Sequence, residues 1–211
     1  MIANSKRRVQ ATRSDGERSR LAILRAAASL ATVEGLDGLS LARLADYIGM
    51  SKSGLYAHFG SKEELQLATV AMAVEIFEAD VVRPEEALSD PVAQVVALCD
   101  RFLDYLRRQV FPGGCFFAAA AAEFDTHPGP VQDLIVKIHR DWLRMLEEQF
   151  DKARADGDLL DEEVPSQLAF EIDAFLLMAN MVFVLHDDAG ALEHAKSAIR
   201  SRIERARRPS Q

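Results

Sequence analysis

Lys52, Ser53, Gly54, Tyr56 and His58 fall within seven consecutive positions. Together they offer the groups that meet the phosphates and base edges of a nucleic acid. A lysine near a helix start reaches a base acceptor or a phosphate, and a glycine lets backbone approach a duplex closely. Tyrosine and histidine donate to phosphate oxygens, which fixes orientation without reading sequence. Ser40 and Lys62 stand where two further helices begin, and helix N-termini present amides and positive dipole ends to phosphates. Ser53 and Gly54 are small, so base reading from them is sparse.

These residues need elements that hold them outward. Residues 1–14 are polar, basic and aperiodic, which predicts a flexible basic arm. Leu21, Ile23, Leu24, Ala27, Ala28, Leu30 and Ala31 then recur at three-to-four spacing up to Gly35, predicting a first helix. Ser40 is placed to cap a short second helix carrying Leu41, Leu44, Ala45 and Ile48 and ending at Gly49. A shorter third helix follows, on which Leu55 and Phe59 face inward together. Ser61 starts a fourth, with Glu64 placed to reach back to the Ser61 amide. That helix is expected to end near Arg83-Pro84. Further helices are predicted over Pro91–Gln109, Cys115–Phe124, Val131–Ala155, Pro165–His186 and Ala189–Arg207, with no sustained strand alternation. The reading is all-α: a flexible arm over 1–14, a three-helix helix-turn-helix DNA-binding domain over 15–62, and a larger helical domain over 63–211 for effector binding and dimerisation.

Charge distribution supports this division. The chain of 211 residues carries a net −8, yet residues 1–62 hold ten Lys or Arg against five acids, a net +5 that leaves −13 for the rest. A basic head on an acidic body suits a molecule of which one end meets phosphates. Cys99 and Cys115 are too few for a disulfide framework or a zinc site, so no metal or cofactor is expected. The apolar run Leu168–Leu185 is interrupted by Glu171, Asp173 and Asn180 and reads as a core helix, not a membrane span. Without a secretory leader pattern, the cytoplasm is the expected location.

The stretch Leu39-Ser-Leu-Ala-Arg-Leu-Ala-Asp-Tyr-Ile-Gly49, then Ser51-Lys-Ser-Gly-Leu-Tyr-Ala-His-Phe59 and Ser61-Lys-Glu63, resembles the N-terminal domain of the TetR family of repressors. The resemblance spans roughly Asp15 to Leu67. It implies a homodimeric repressor that binds double-stranded operator DNA and answers to a small-molecule effector. By position it carries DNA contacts onto Ser40, Lys52, Ser53, Gly54, Tyr56, His58 and Lys62.

In the body, Leu176, Ala179, Phe183, Leu192, Ala195, Ile199 and Ile203 form apolar stripes on the last two helices. They suit pairing across a two-fold axis, and the same spacing suits closure of the monomer core. Phe102, Tyr105, Phe116, Phe117, His139, Trp142, Met145, Asp173, Phe175 and Met178 are candidate lining for an effector pocket, or else ordinary core. Asp173, Asn180 and Glu123 are polar groups in apolar helices, so each needs a partner. No catalytic role is expected. The rival readings are a thiol enzyme using Cys115 with His127 or His139, a metal sensor through the same histidines, and a helical small-molecule-binding or scaffolding protein without a DNA role.

Overall fold

The computed structural model describes residues 2–83 and 88–208, with side chains from Gly16 onward. Nine α-helices lie among the described residues: α1 (Ile2–Glu34), α2 (Leu41–Ile48), α3 (Lys52–Tyr56), α4 (Lys62–Phe77), α5 (Pro91–Arg107), α6 (Phe116–Phe124), α7 (Pro130–Ala155), α8 (Pro165–His186) and α9 (Gly190–Ala206). No strand occurs among them, only an isolated bridge between Leu159 and Arg207. The all-helical class expected from periodicity is the one observed.

Helix α1 corrects the first boundary. Its backbone is helical from Ile2, through the segment expected to be a flexible basic arm. No glycine or proline precedes Gly16, so nothing in the chain stops the helix earlier. The arm's side chains lie outside the described residues. Leu21, counted with the inner face, is 46% exposed; Ile23, Leu24, Ala27, Ala28, Leu30 and Ala31 are buried. Gly35 ends the helix with a left-handed φ of 86° and an amide donating to the Ala31 carbonyl, as a helix C-terminal glycine does.

The short helices are delimited by caps. Ser40 Oγ accepts from the Arg43 amide and Ser51 Oγ from the Gly54 amide, each at 3.2 Å. Gly49, at φ 69°, closes α2 with its amide on the Ala45 carbonyl. Ser61 Oγ accepts from the Glu64 amide at 3.0 Å, but the reciprocal bond differs from expectation. Glu64 Oε2 accepts from the Gly60 amide at 2.9 Å, one residue before Ser61.

Helix α4 continues from head into body and runs on through a π-helical turn, Glu78–Val82. Helical backbone thus reaches the edge of Arg83, while Pro84 lies outside the described residues. Helices α5 and α7–α9 pack as a bundle, with α7 against α8 and α8 against α9. Helix α8 is long and apolar enough to cross a membrane by length and composition alone. Here it is a packed helix: Leu168, Ile172, Leu176 and Ala179 are buried, and its Glu171 is ion-paired with Arg202 of α9.

Candidate nucleic-acid interface and effector cavity

Helix α3 ends at Tyr56, short of the expected Phe59, and from Lys52 to Phe59 the inward and outward residues separate cleanly. Leu55 and Phe59 are essentially inaccessible and join Leu41, Leu44 and Ala45 in the core, with Ile48 half-buried against it. The guanidinium carbon of Arg20 stands 4.6 Å above the Phe59 ring, which ties α1 to the end of the reading segment. Lys52 and Ser53 are exposed, and Tyr56 is 57% exposed. Lys52 has no ion-pair partner among the described residues, so its charge is available to a phosphate or base. Gly54 and His58 are half-buried. A Cβ at Gly54 would sit 3.1 Å from Ser51 Oγ, the atom that caps α3. The glycine therefore accommodates the cap as well as leaving the outer surface low. Ser40 is half-buried at its cap. Lys62 is exposed but already paired with Asp37 at 2.9 Å, and that pairing holds the Asp37 carboxyl below its ordinary range. A phosphate at Lys62 therefore competes with an existing partner.

A second site lies in the body. A cavity of about 770 Å³ is bounded by α4 with its π turn, α5, α6, α7 and α8. Of the candidate pocket residues, Phe102, Phe117, His139, Trp142, Met145 and Asp173 line it. Tyr105 and Phe116 do not; both are buried in the core behind it. The Tyr105 hydroxyl has no hydrogen-bond partner among the described residues, and burial pushes its pKa up. Phe175 is half-buried away from the cavity, and Met178 is 55% exposed on the outer side of α8. The α4 wall, with Ala71, Val74 and Phe77, is not among the candidate pocket residues of the sequence. The spacing of those three residues by three marks one helix face. Phe77 is the hub of the aromatic wall, meeting Phe102, Tyr105, Phe117 and Trp142 edge to face at 5.5–6.2 Å.

One polar cluster interrupts the apolar lining. Asp173 Oδ1 accepts from Trp142 Nε1 at 2.8 Å, and its Oδ2 lies 3.3 Å from His139 Nε2. The bond to Asp173 raises the His139 pKa above its usual value, against a smaller opposing effect of burial. The polar groups singled out on α6 and α8 are also satisfied. Asn180 Oδ1 accepts from the Cys115 amide at 2.7 Å, and the Glu123 carboxylate accepts from the amides of Leu36 and Asp37 at 2.6 and 2.9 Å.

The rival chemistries find little support in this arrangement. Cys115 is buried, and burial pushes its thiol up to about 11, the opposite of what activates a nucleophile. Among the described residues, no group of three or more His, Cys, Asp and Glu is arranged to hold a metal ion.

Of the two readings of the apolar stripes on α8 and α9, pairing or core closure, burial favours closure. Leu176, Ala179, Leu192, Ala195, Ile199 and Ile203 are buried within the single chain, and Phe183 is half-buried. Helix α8 is apolar all round, so its outer side carries a different stripe. Phe170, Met178, Met181, Val184 and Leu185 are 44–72% exposed, while Leu177, 40% exposed, borders the cavity.

Comparison with known proteins places both halves. The family model described as "Bacterial regulatory proteins, tetR family" matches residues 23–69, and that described as "Tetracyclin repressor-like, C-terminal domain" matches residues 91–199. No curated protein matches the chain. Among solved structures, a TetR transcriptional regulator from Chloroflexus aurantiacus J-10-FL is 26% identical with a TM-score of 0.85, over 93% of this chain and 100% of that one. A TetR-family regulator from Agrobacterium tumefaciens is 23% identical with a TM-score of 0.77, over 90% and 99%. AibR, solved in complex with isovaleryl coenzyme A and operator DNA, is 24% identical with a TM-score of 0.70, over 89% and 99%.

Proposed function

Because the chain belongs to the tetR family of bacterial regulatory proteins, we propose that it represses transcription as a homodimer and is released from its operator by a small molecule held in the body cavity. The observation that carries the DNA half is the division of α3 and the turn after it, with Leu55 and Phe59 locked inward and Lys52, Ser53 and Tyr56 turned out. Such a helix enters a major groove, and one head of this size reads only a few base pairs. Two heads about 34–36 Å apart address a palindrome. The reading head ends at Lys62, where α4 leaves it. Acting on cellular DNA, the protein works in the cytoplasm.

The exposed apolar stripe of α8 is where a second copy is placed. A row of large apolar side chains at helical spacing, left in water by the monomer, is a self-association surface. The inner stripe of Leu176, Ala179, Leu192, Ala195, Ile199 and Ile203 is buried within the single chain.

The cavity is the effector site. Its walls suit an apolar molecule, and the Asp173–His139 pair offers one polar anchor. AibR, with both isovaleryl coenzyme A and operator DNA bound, is a precedent on the same fold. Release requires that the ligand bind the DNA-incompetent arrangement more tightly. The test retains genomic fragments on the purified full chain at physiological salt. It then screens apolar metabolites by fluorescence of Trp142, the only tryptophan, which lines the cavity. A compound that shifts Trp142 emission is expected to release the fragments at fixed salt. Ligands that shift emission while operator affinity stays unchanged would reject release as the mechanism.

A further inference from the structure

The α6 helix is anchored at both ends to different parts of the molecule. At its N-terminal end the Cys115 amide donates to Asn180 of α8 at 2.7 Å. Near its C-terminal end, Glu123 reaches into the head. Its two carboxylate oxygens accept separately from the backbone amides of Leu36 and Asp37, 87 and 86 residues away in the chain. Between the anchors, Phe117, Ala118, Ala121 and Ala122 form one wall of the cavity.

The turn that Glu123 grips is held from a second side. Gln66 Nε2 of α4 donates to the Leu36 carbonyl at 2.9 Å, and Gln66 is itself buried. Helix α4 also walls the cavity, through Ala71, Val74 and Phe77. The two peptide groups flanking Leu36 are thus tied to two walls of one cavity. Gly35 completes the fit: a Cβ there would lie 2.6 Å from Glu123 Oε1. Downstream, the turn leads directly to Ser40, the cap of α2.

We propose that Glu123 is the positioning residue that carries occupancy of the cavity to the DNA-reading head. The inference rests on the reading of this protein as a DNA-binding regulator released by a cavity ligand, and adds the connection through which release is made. A body that changes the spacing of α4 and α6 cannot leave both bonds to Leu36 in place. Either the α1–α2 turn moves with Glu123 or the carboxylate lets go. In both cases α2 and α3 change their attitude to the body, and with it the separation of two heads in a dimer.

The test needs no identified ligand, because a side chain can stand in for one. Leu134 of α7 lines the cavity, and Leu134→Trp fills it from a helix that does not belong to the head. Operator affinity is measured for the full-length wild type, Leu134→Trp, Glu123→Ala and the double variant, using a duplex selected by the wild type. Filling the cavity is expected to weaken binding about tenfold in the wild-type background and less than about threefold without Glu123, the range of ordinary allosteric coupling. Glu123→Gln, which keeps one acceptor oxygen, falls between. Independently of Leu134→Trp, amide exchange at Leu36 and Asp37 in DNA-free protein should accelerate at least about tenfold in Glu123→Ala, as lost protection would produce. Equal weakening by Leu134→Trp in both backgrounds, or unchanged exchange at those two amides, overturns the proposal. If the wild type selects no duplex, the DNA-binding reading itself fails, while the exchange measurement still judges the contact made by Glu123.

Discussion

His139 and Asp173 place a titratable pair at the border of an apolar cavity, with Trp142 sharing the carboxylate. Because the Asp173 bond raises the folded pKa of His139 above 6.5, the pairing stabilises the fold fully below the unfolded value. That contribution is lost as pH rises through the raised folded value. The His139 ring should therefore titrate by NMR with a midpoint above 6.5, and Asp173→Asn should bring it down. The same substitution should lower Tm more at about pH 6 than at about pH 8.5, following the sign of that linkage. An unchanged His139 midpoint in Asp173→Asn would remove the carboxylate as its cause. The anchor offered to an effector would then be the histidine alone.

Among the elements, α2 and α3 were legible because local chemistry brackets them. Ser40, Gly49 and Ser51 supply caps and a left-handed stop, and Leu55 and Phe59 fall on one side. Helix α8 was not, for a reason that periodicity cannot overcome: both of its sides are apolar, so spacing cannot say which meets α9 and which meets water. Its inner stripe, with Leu176 and Ala179, therefore suits pairing and core closure alike when read from spacing. The cavity was half legible. The aromatic residues of α5–α7 announced it, whereas the α4 wall and the partners of Glu123 depend on contacts between distant parts of the chain. Phe59 offers a test at this scale, since it fastens α3 to the head's core and stacks under Arg20. Phe59→Ala should cost about 3–5 kcal/mol, melting the head and abolishing DNA binding together, as seen by denaturant unfolding and circular dichroism. Lys52→Ala should leave Tm unchanged. A Phe59→Ala protein with full DNA affinity would show that α3 is not held by its inner face.

The whole molecule joins a basic head to an acidic body, and α4 and α6 connect the cavity to the head. The exposed stripe of α8 gives the assembly a specific expectation. Met181→Glu or Leu185→Glu, on side chains 50% and 72% exposed, should leave the monomer fold intact and shift sedimentation from dimer towards monomer. Operator affinity should fall with it, because each head alone makes half the contacts. A variant that remains dimeric would move the interface elsewhere.

Whether the outer face of α3 enters a duplex is measured directly by anisotropy of a labelled, protein-selected duplex at physiological salt. The wild type is expected to bind that duplex at least about a thousandfold more tightly than a scrambled one. Lys52→Ala/Tyr56→Ala should lose most of that affinity and flatten the salt dependence by about 0.9 for each phosphate contact removed. Wild-type protein that binds both duplexes alike, or a double variant that binds as the wild type does, would contradict entry of α3 into the duplex.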